Sequence, residues 1–290
     1  MKSSFQGTKI NPSQFHISQL KFYIILVPVA LFMIIPVVYM ISQALKPIDE
    51  LFRFPPTFIV ERPTLNNFRA VLRIASGTGV PASRFFLNTF LVTIVTIVAT
   101  VIITSMTAYA LSKKKFRLNT VLGKINQIAI MFVPAAVGIP RYLVIVNSGM
   151  YNNFFAHIIP FLAMPVGLFL VKQFVDQIPD ELLEAARIDG AGEMRIMFGI
   201  VFPLIKPALA TIVILTFQGV WGATEASTMF ITDDTLRTFS FYLGTLAIGG
   251  NPLLAGVGAA SGFVMFFPNL VIFIAMQSRV MSTMSHSGIK

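Results

Sequence analysis

Long apolar runs alternate with short polar stretches along this chain. Phe22–Leu45, the stretch from Arg84 or Phe85 to Leu111, Ile125–Val146, Phe154–Phe174, Leu204–Thr224 and Leu253–Met276 are the apolar runs. A helix rising 1.5 Å per residue needs about 20 such residues to cross a hydrocarbon core of about 30 Å. The pattern therefore predicts an all-α protein with six membrane-spanning helices over 22–278. Around them lie an N-terminal arm (1–21), an outer loop (46–83), a polar loop (175–203), a second outer loop (225–252) and a tail (279–290). The first run is too long for the apolar core of a signal peptide and lacks a small-x-small cleavage site, so it reads as a retained span. Pro28 and Pro36 inside it are tolerated in membrane helices. Pro134, Gly138 and Pro140-Arg141 interrupt the third run; Pro160 and Pro165 interrupt the fourth.

The polar loop stands out. Six of the twelve acidic residues lie in or beside it: Asp176, Asp180, Glu181, Glu184, Asp189 and Glu193. Pro179 and Asp180 open a helix whose free N–H groups Asp180 is placed to cap, and Glu181 suits its positive end. At 100° per residue, Asp180, Glu181, Glu184 and Arg187 share one side, and Leu182, Leu183 and Ala186 the other. Glu184 and Arg187 stand at pairing distance. Asp189-Gly190 stops the helix, because glycine adopts the left-handed conformation without a Cβ clash. A second helical run continues to about Phe202, and Pro203 and Pro207 bracket the return to the membrane. The expected product is a helix–turn–helix elbow.

Inside the spans, polar residues are the functional candidates. Thr89, Thr93, Thr96, Thr100, Thr104 and Thr107 fall on one face of the second span. That face either packs against other helices, its hydroxyls returning to their own i−4 carbonyls, or forms a polar wall of a path. Arg141 either snorkels to the interface or faces a hydrated path. Trp221, the only Trp, is either an interface anchor or a stacking surface, and Gln218, Gly222 and Glu225 lie near it. Gly258-x-x-x-Gly262 permits close helix contact.

Composition agrees with membrane residence: 55% of residues are hydrophobic and 12% charged, with mean hydropathy +0.78. The net charge of +10 does not indicate nucleic acid, since Lys and Arg flank the spans. They concentrate in the arm, in Ser112–Lys124, around the polar loop and in the tail, which orients both termini and the elbow toward the cytoplasm. Basic residues in 46–83 oppose this in part. No cysteine is present, which rules out disulfides and thiolate sites. No phosphate-binding Gly-rich loop occurs; Gly123-Lys124 lacks its flanking residues. His16, His157 and His286 lack metal-ligand spacing, and there is no nucleophile elbow. The residues point to a pore or binding subunit without catalytic or metal site, not to an enzyme.

Glu184-Ala185-Ala186, followed by Asp189-Gly190-Ala191, Ile200 and Pro203, resembles the EAA loop of ABC-importer permeases. With Phe202-Pro203-Leu204-Ile205-Lys206-Pro207 it is similar to the carbohydrate branch, the maltose-permease type. The likeness runs from about Pro55 to the end: Arg84–Thr89 and Thr107–Leu111 resemble the start and end of the family's second span, Phe217–Trp221 its fifth-span pattern, Thr235–Thr238 the loop that follows, and Ser287–Lys290 a shortened form of its ending. Where the family usually has Asn after the fifth-span Trp, this chain has Gly222.

The resemblance implies a subunit of an ATP-driven importer for an oligosaccharide or sugar derivative in a bacterial cell membrane. It implies a second permease, two ATPase subunits carrying ATP and Mg, and an extracellular solute-binding protein reached by 225–252. Leu182, Leu183, Ala185 and Ala186 would supply apolar contact to an ATPase, Glu184 and Asp189 polar fixing, and Gly190 the bend; Arg141, Trp221 and Glu225 are the path candidates. Two alternatives are an importer for peptides or amino acids and an ion-coupled transporter. The second would call for acids inside the spans, which are nearly free of them.

Overall fold

The apolar runs fold as helices, joined by short turns and irregular stretches, in the residues that the computed structural model describes, 20–55, 57–73, 79–132, 136–248 and 254–287. The main helices are α1 (Leu20–Leu45), α2 (Ala82–Lys113), α3 (Asn119–Met131), α4 (Gly138–Asn147), α5 (Pro165–Asp176), α6 (Asp180–Ile188), α7 (Lys206–Trp221), α8 (Phe239–Ile248) and α9 (Ala255–Ser287). The chain divides into two compact units, Met1–Arg69 with Asn251–Phe263, and Ala70–Gly250 with Val264–Lys290. Most of the arm, Pro134, Gly249-Gly250 and residues 288–290 lie outside the described residues.

In the first unit, α1 leaves most of its apolar side chains uncovered by the rest of the chain. Its end is tied down by Asn67, whose Nδ2 donates to the carbonyls of Ala44 (2.9 Å) and Lys46 (2.8 Å). Those carbonyls would otherwise lack partners at a helix terminus. Gly256 of α9 makes room for this cap, since a Cβ there would meet Asn67 at 2.7 Å. Gly262 approaches Met40, whereas nothing lies within 4 Å of a Cβ at Gly258. Close contact therefore falls on Gly256 and Gly262, not on the predicted Gly258–Gly262 pair. The predicted first outer loop contains a helical turn, Ile48–Leu51. Its buried Glu50 accepts from the amide of Glu61 (2.9 Å), and its basic residues are partly neutralised by the pairs Arg53–Glu61 and Arg62–Asp49.

The second unit is built around α2, which packs against α5, α7 and α8. Thr89, Thr93, Thr96, Thr100 and Thr104 are buried on it, so this face serves helix packing. Only part of the expected chemistry holds: the hydroxyls of Thr93, Thr96 and Thr100 make no hydrogen bond, and that of Thr89 accepts from the amide of Phe239 (2.7 Å). A common core joins α2, α5, α6 and α7 through residues such as Tyr109, Val171, Leu183, Ile196, Val201 and Ile212.

Two expectations change. The predicted third span, Ile125–Val146, is two helices, α3 of 13 residues and α4 of 10. Neither is long enough to cross alone, and residues 133–135 between them lie outside the described residues. Among the described residues, Leu20–Leu45, Ala82–Lys113, Lys206–Met229 and Ala255–Met276 are long and apolar enough to cross alone, and Phe154–Leu162 with Pro165–Asp176, bent by 45°, are so as a pair. The predicted loop 225–252 is largely helical: Glu225–Met229, a 3₁₀ turn at Asp234–Leu236, and α8. Phe239, Tyr242 and Leu243 of this segment are buried.

Candidate functional site

The elbow begins at Pro179, whose φ of −59° and ψ of 136° make it the residue before the first helical turn. Asp180 is thus inside the helix and does not cap it. Its carboxylate accepts instead from Lys113 Nζ at 2.8 Å, a charge-assisted bond that a neutral amide does not match. Asp189 ends α6, and Gly190 takes φ +79°. The amide of Ala191 donates to the carbonyl of Ala186 (2.9 Å) and that of Gly190 to Arg187 (3.0 Å). These two bonds define a Schellman stop, which uses up carbonyls that the helix leaves free. The expected Glu184–Arg187 pair is absent among the described ion pairs. Arg187 reaches across the turn to Glu193, Nε to Oε1 3.4 Å.

After Gly192 the chain resumes as Glu193–Ile196, a π-type turn at Met197–Val201, and Phe202–Leu204. The elbow has two faces. Leu183 (1% exposed) and Ala186 turn inward to the core with Ile196 and Val201. Leu182, Glu184, Ala185, Arg187, Ile188, Asp189 and Gly190 are exposed. Ile188, at 86%, is among the most exposed large apolar residues described. Sequence reasoning passed over it because it sits at the helix end, away from the Leu182–Ala186 cluster.

Both ends of the elbow are fastened to the end of α2. At the entry, Lys113 Nζ donates to the carbonyl of Ile178 (2.6 Å) as well as to Asp180. At the exit, Tyr109 Oη donates to Glu193 Oε2 (2.8 Å), and Lys114 pairs with the same carboxylate. The hint available in the sequence was spacing: Tyr109 and Lys113 stand four apart and share a helix face. A polar hollow of about 350 Å³ lies beside these contacts, lined by Ser112, Lys115, Asn119, Asp180, Glu184 and Arg187 among others.

The fastenings set a pH dependence. The bond from Lys113 holds the Asp180 carboxyl below the ordinary carboxylate range. Lys114, and after it Tyr109, do the same for Glu193. A carboxyl depressed in the folded state stabilises above its unfolded value, about 4, and loses that contribution as pH falls through the depressed value. Amide exchange across Ile178–Glu193, corrected for intrinsic rates, is therefore expected to show equal protection at about pH 7 and pH 5. Protection should drop only below about pH 4.

Of the path candidates, Arg141 and Glu225 come together as an ion pair, each partly exposed, and the buried Nε of Arg141 has no hydrogen-bond partner. Trp221 departs from both readings given to it. It is 4% exposed, stacks on Phe217 at 5.3 Å, and donates from Nε1 to the carbonyl of Met265 (3.2 Å). Its polar neighbours in sequence concealed a ring that faces inward. Among the described residues, no group of His, Cys, Asp or Glu forms a metal-binding cluster.

Residues 100–278 match the family described as binding-protein-dependent transport system inner membrane component. The chain belongs to this family. Among its relatives, the melibiose/raffinose/stachyose import permease protein MelC of Bacillus subtilis (strain 168) is 33% identical over 71% of this chain and 75% of its own length. The sn-glycerol-3-phosphate transport system permease protein UgpE of Salmonella typhi is 32% identical over 78% of this chain and 81% of its own. In fold the chain is similar to a chain from the crystal structure of a bacterial ABC transporter involved in the import of the acidic polysaccharide alginate. The TM-score is 0.78 at 23% identity, over 92% of this chain and 99% of that one. This inner-membrane transport component is thus a multi-pass permease subunit of the bacterial cell membrane and not an enzyme.

Proposed function

We propose that this chain forms half of the pore of an ATP-driven importer for an oligosaccharide or sugar derivative, and that an ATPase subunit grips it at the elbow. The observation that carries the reading is the two-faced elbow: one side built into the core, the other bare and bearing Leu182, Ala185 and Ile188 in one stripe with Glu184 beside it. Leu183 and Ala186 then hold the elbow to its own chain, while the stripe supplies the apolar contact. Glu184 and Asp189 give polar fixing, and Gly190 sets the bend. In this arrangement the elbow and the segments 1–21 and 279–290 are cytoplasmic, and 46–83 and 225–252 are outside. The partners are a second permease, two ATPases holding ATP and Mg, and a solute-binding protein. Closure of the ATPase pair moves the docked elbow and tilts the spans between inward- and outward-open states.

The relatives, import permeases for melibiose, raffinose and stachyose and for sn-glycerol 3-phosphate, support a sugar or sugar-derived cargo over a peptide. The test is uptake into vesicles holding this chain with its partner subunits and binding protein. Raffinose, glycerol 3-phosphate and a tripeptide are supplied in turn, with and without ATP. ATP-dependent entry of raffinose or glycerol 3-phosphate is expected; entry of the tripeptide alone would overturn the substrate class.

A further inference from the structure

α2 has an unusual build for this chain. It runs 32 residues, about 48 Å, with neither proline nor glycine. Other long helical stretches of the chain are interrupted: α1 contains Pro28 and Pro36, α9 contains Pro268, and the pair at Phe154–Asp176 bends by 45°. Kinks in long helices arise at proline, at glycine-containing pairs or at π-turns, so α2 lacks the usual points of bending.

Among the described residues, its side-chain hydrogen bonds to other elements are confined to its ends. At one end stand the elbow bonds of Tyr109, Lys113 and Lys114. At the other, Asn88 Nδ2 donates to the carbonyls of Thr235 and Arg237, both at 2.8 Å. Arg84 Nε donates to Thr235 (3.2 Å), and Thr89 Oγ1 accepts from the amide of Phe239. Asn88 and Thr89 are buried, so these bonds are shielded from water. Between Thr89 and Tyr109, about 30 Å of helix at 1.5 Å per residue, no side chain hydrogen-bonds to another element among the described residues. Ser105 returns to its own Val101 carbonyl (2.6 Å), and Thr93, Thr96 and Thr100 are unpartnered. A stiff helix bonded at both ends, with a middle held only by packing, is suited to move lengthwise as one piece.

We infer that α2 is a rod that carries displacement of the elbow directly to the segment Thr235–Phe239, with Asn88 and Thr89 as positioning residues at its far end. This rests on the reading of the elbow as the site an ATPase grips. Motion at the elbow then appears at the far segment only while the far bonds are intact. Coupling of this kind is a free energy shared between two sites, and typical values alter a response by roughly 5–150-fold.

The test uses the assembled transporter, with its own partner subunits, in vesicles. The chain contains no cysteine, so one placed at Thr232, exposed and three residues from the far bonds, is followed alone on this chain with a maleimide. Its labelling rate is compared without nucleotide and after trapping with ATP and vanadate. The rate is expected to change about fivefold or more on trapping. Adding Asn88→Asp, which removes the donor, should abolish that change while vanadate still traps nucleotide. Thr89→Val, which removes only the acceptor, should do the same where Asn88→Asp fails to reach the membrane. Thr89→Ser, which keeps the hydroxyl, should restore the change, an outcome that a loss of packing would not give. A trap-induced change that survives both Asn88→Asp and Thr89→Val, or none at all in the chain altered only at Thr232, would overturn the rod. Failure of the elbow reading is separable: reversing charge in the grip by Glu184→Lys would then leave both trapping and the labelling change as they were.

Discussion

Gly190→Val is expected to abolish ATP-dependent uptake while the chain still reaches the membrane, and Gly190→Asn is expected to retain most of it. The contrast isolates conformation from size. No atom lies within 4 Å of a Cβ built at Gly190, so the first side-chain atom meets open space. The backbone angle is the obstacle: φ is +79°, a region costing a residue with a side chain roughly 1–2 kcal/mol, most for β-branched residues and least for asparagine. Relief of that strain would open the Schellman stop and swing Glu193 off Tyr109 and Lys114. A bias of 1–2 kcal/mol shifts the population of the intact elbow by roughly 5–30-fold. The spans do not depend on this turn, so membrane yield should hold. Uptake and yield measured together check it; equal uptake in Gly190→Val and Gly190→Asn would sink the argument.

Leu183→Ala and Leu182→Ala, adjacent on α6, should fail in different ways. Leu183 is enclosed by the core. Its truncation leaves a cavity and costs about 2–5 kcal/mol, read as a lower melting temperature of the purified protein and a lower yield. Leu182 is 43% exposed, and truncation of such a side chain should stay within about 0.5 kcal/mol in stability. Leu182→Ala, and Ile188→Ala with it, should instead weaken retention of the ATPase subunit during purification. A melting temperature lowered equally by Leu182→Ala and Leu183→Ala would mean that α6 has no free face.

What the sequence made legible follows from the range of the forces involved. The limits of α1 and the start of α9 were readable, because apolar runs set them; the end of α9 was not, since the helix continues through the polar residues after Met276 to Ser287. The stop at Gly190 was readable, because a left-handed residue after a helix is a local requirement. Asp180 was assigned to the wrong partner because the competing cation, Lys113, is distant in sequence. The interruption of the third run was legible, because Pro134, Gly138 and Pro140 stand close together within it, and α3 ends at Met131 while α4 begins at Gly138. The helix α8 was hidden because ten residues are too few to register as a span, and their even hydrophobicity gives no amphipathic rhythm. Trp221 was misplaced because polar neighbours along a chain say little about the direction a ring points.

The turn at Met197–Val201 holds more residues per revolution than the stretches on either side. It acts as an angular spacer: everything on its elbow side is rotated relative to α7 by a step that belongs to the number of residues, whatever their identity. Gain or loss of one residue there would re-aim Glu193 and the bare stripe of α6 while leaving each span's composition untouched. In this protein the alignment of α6 with α7 is thus written partly in chain length, where comparison of residue types alone would not find it.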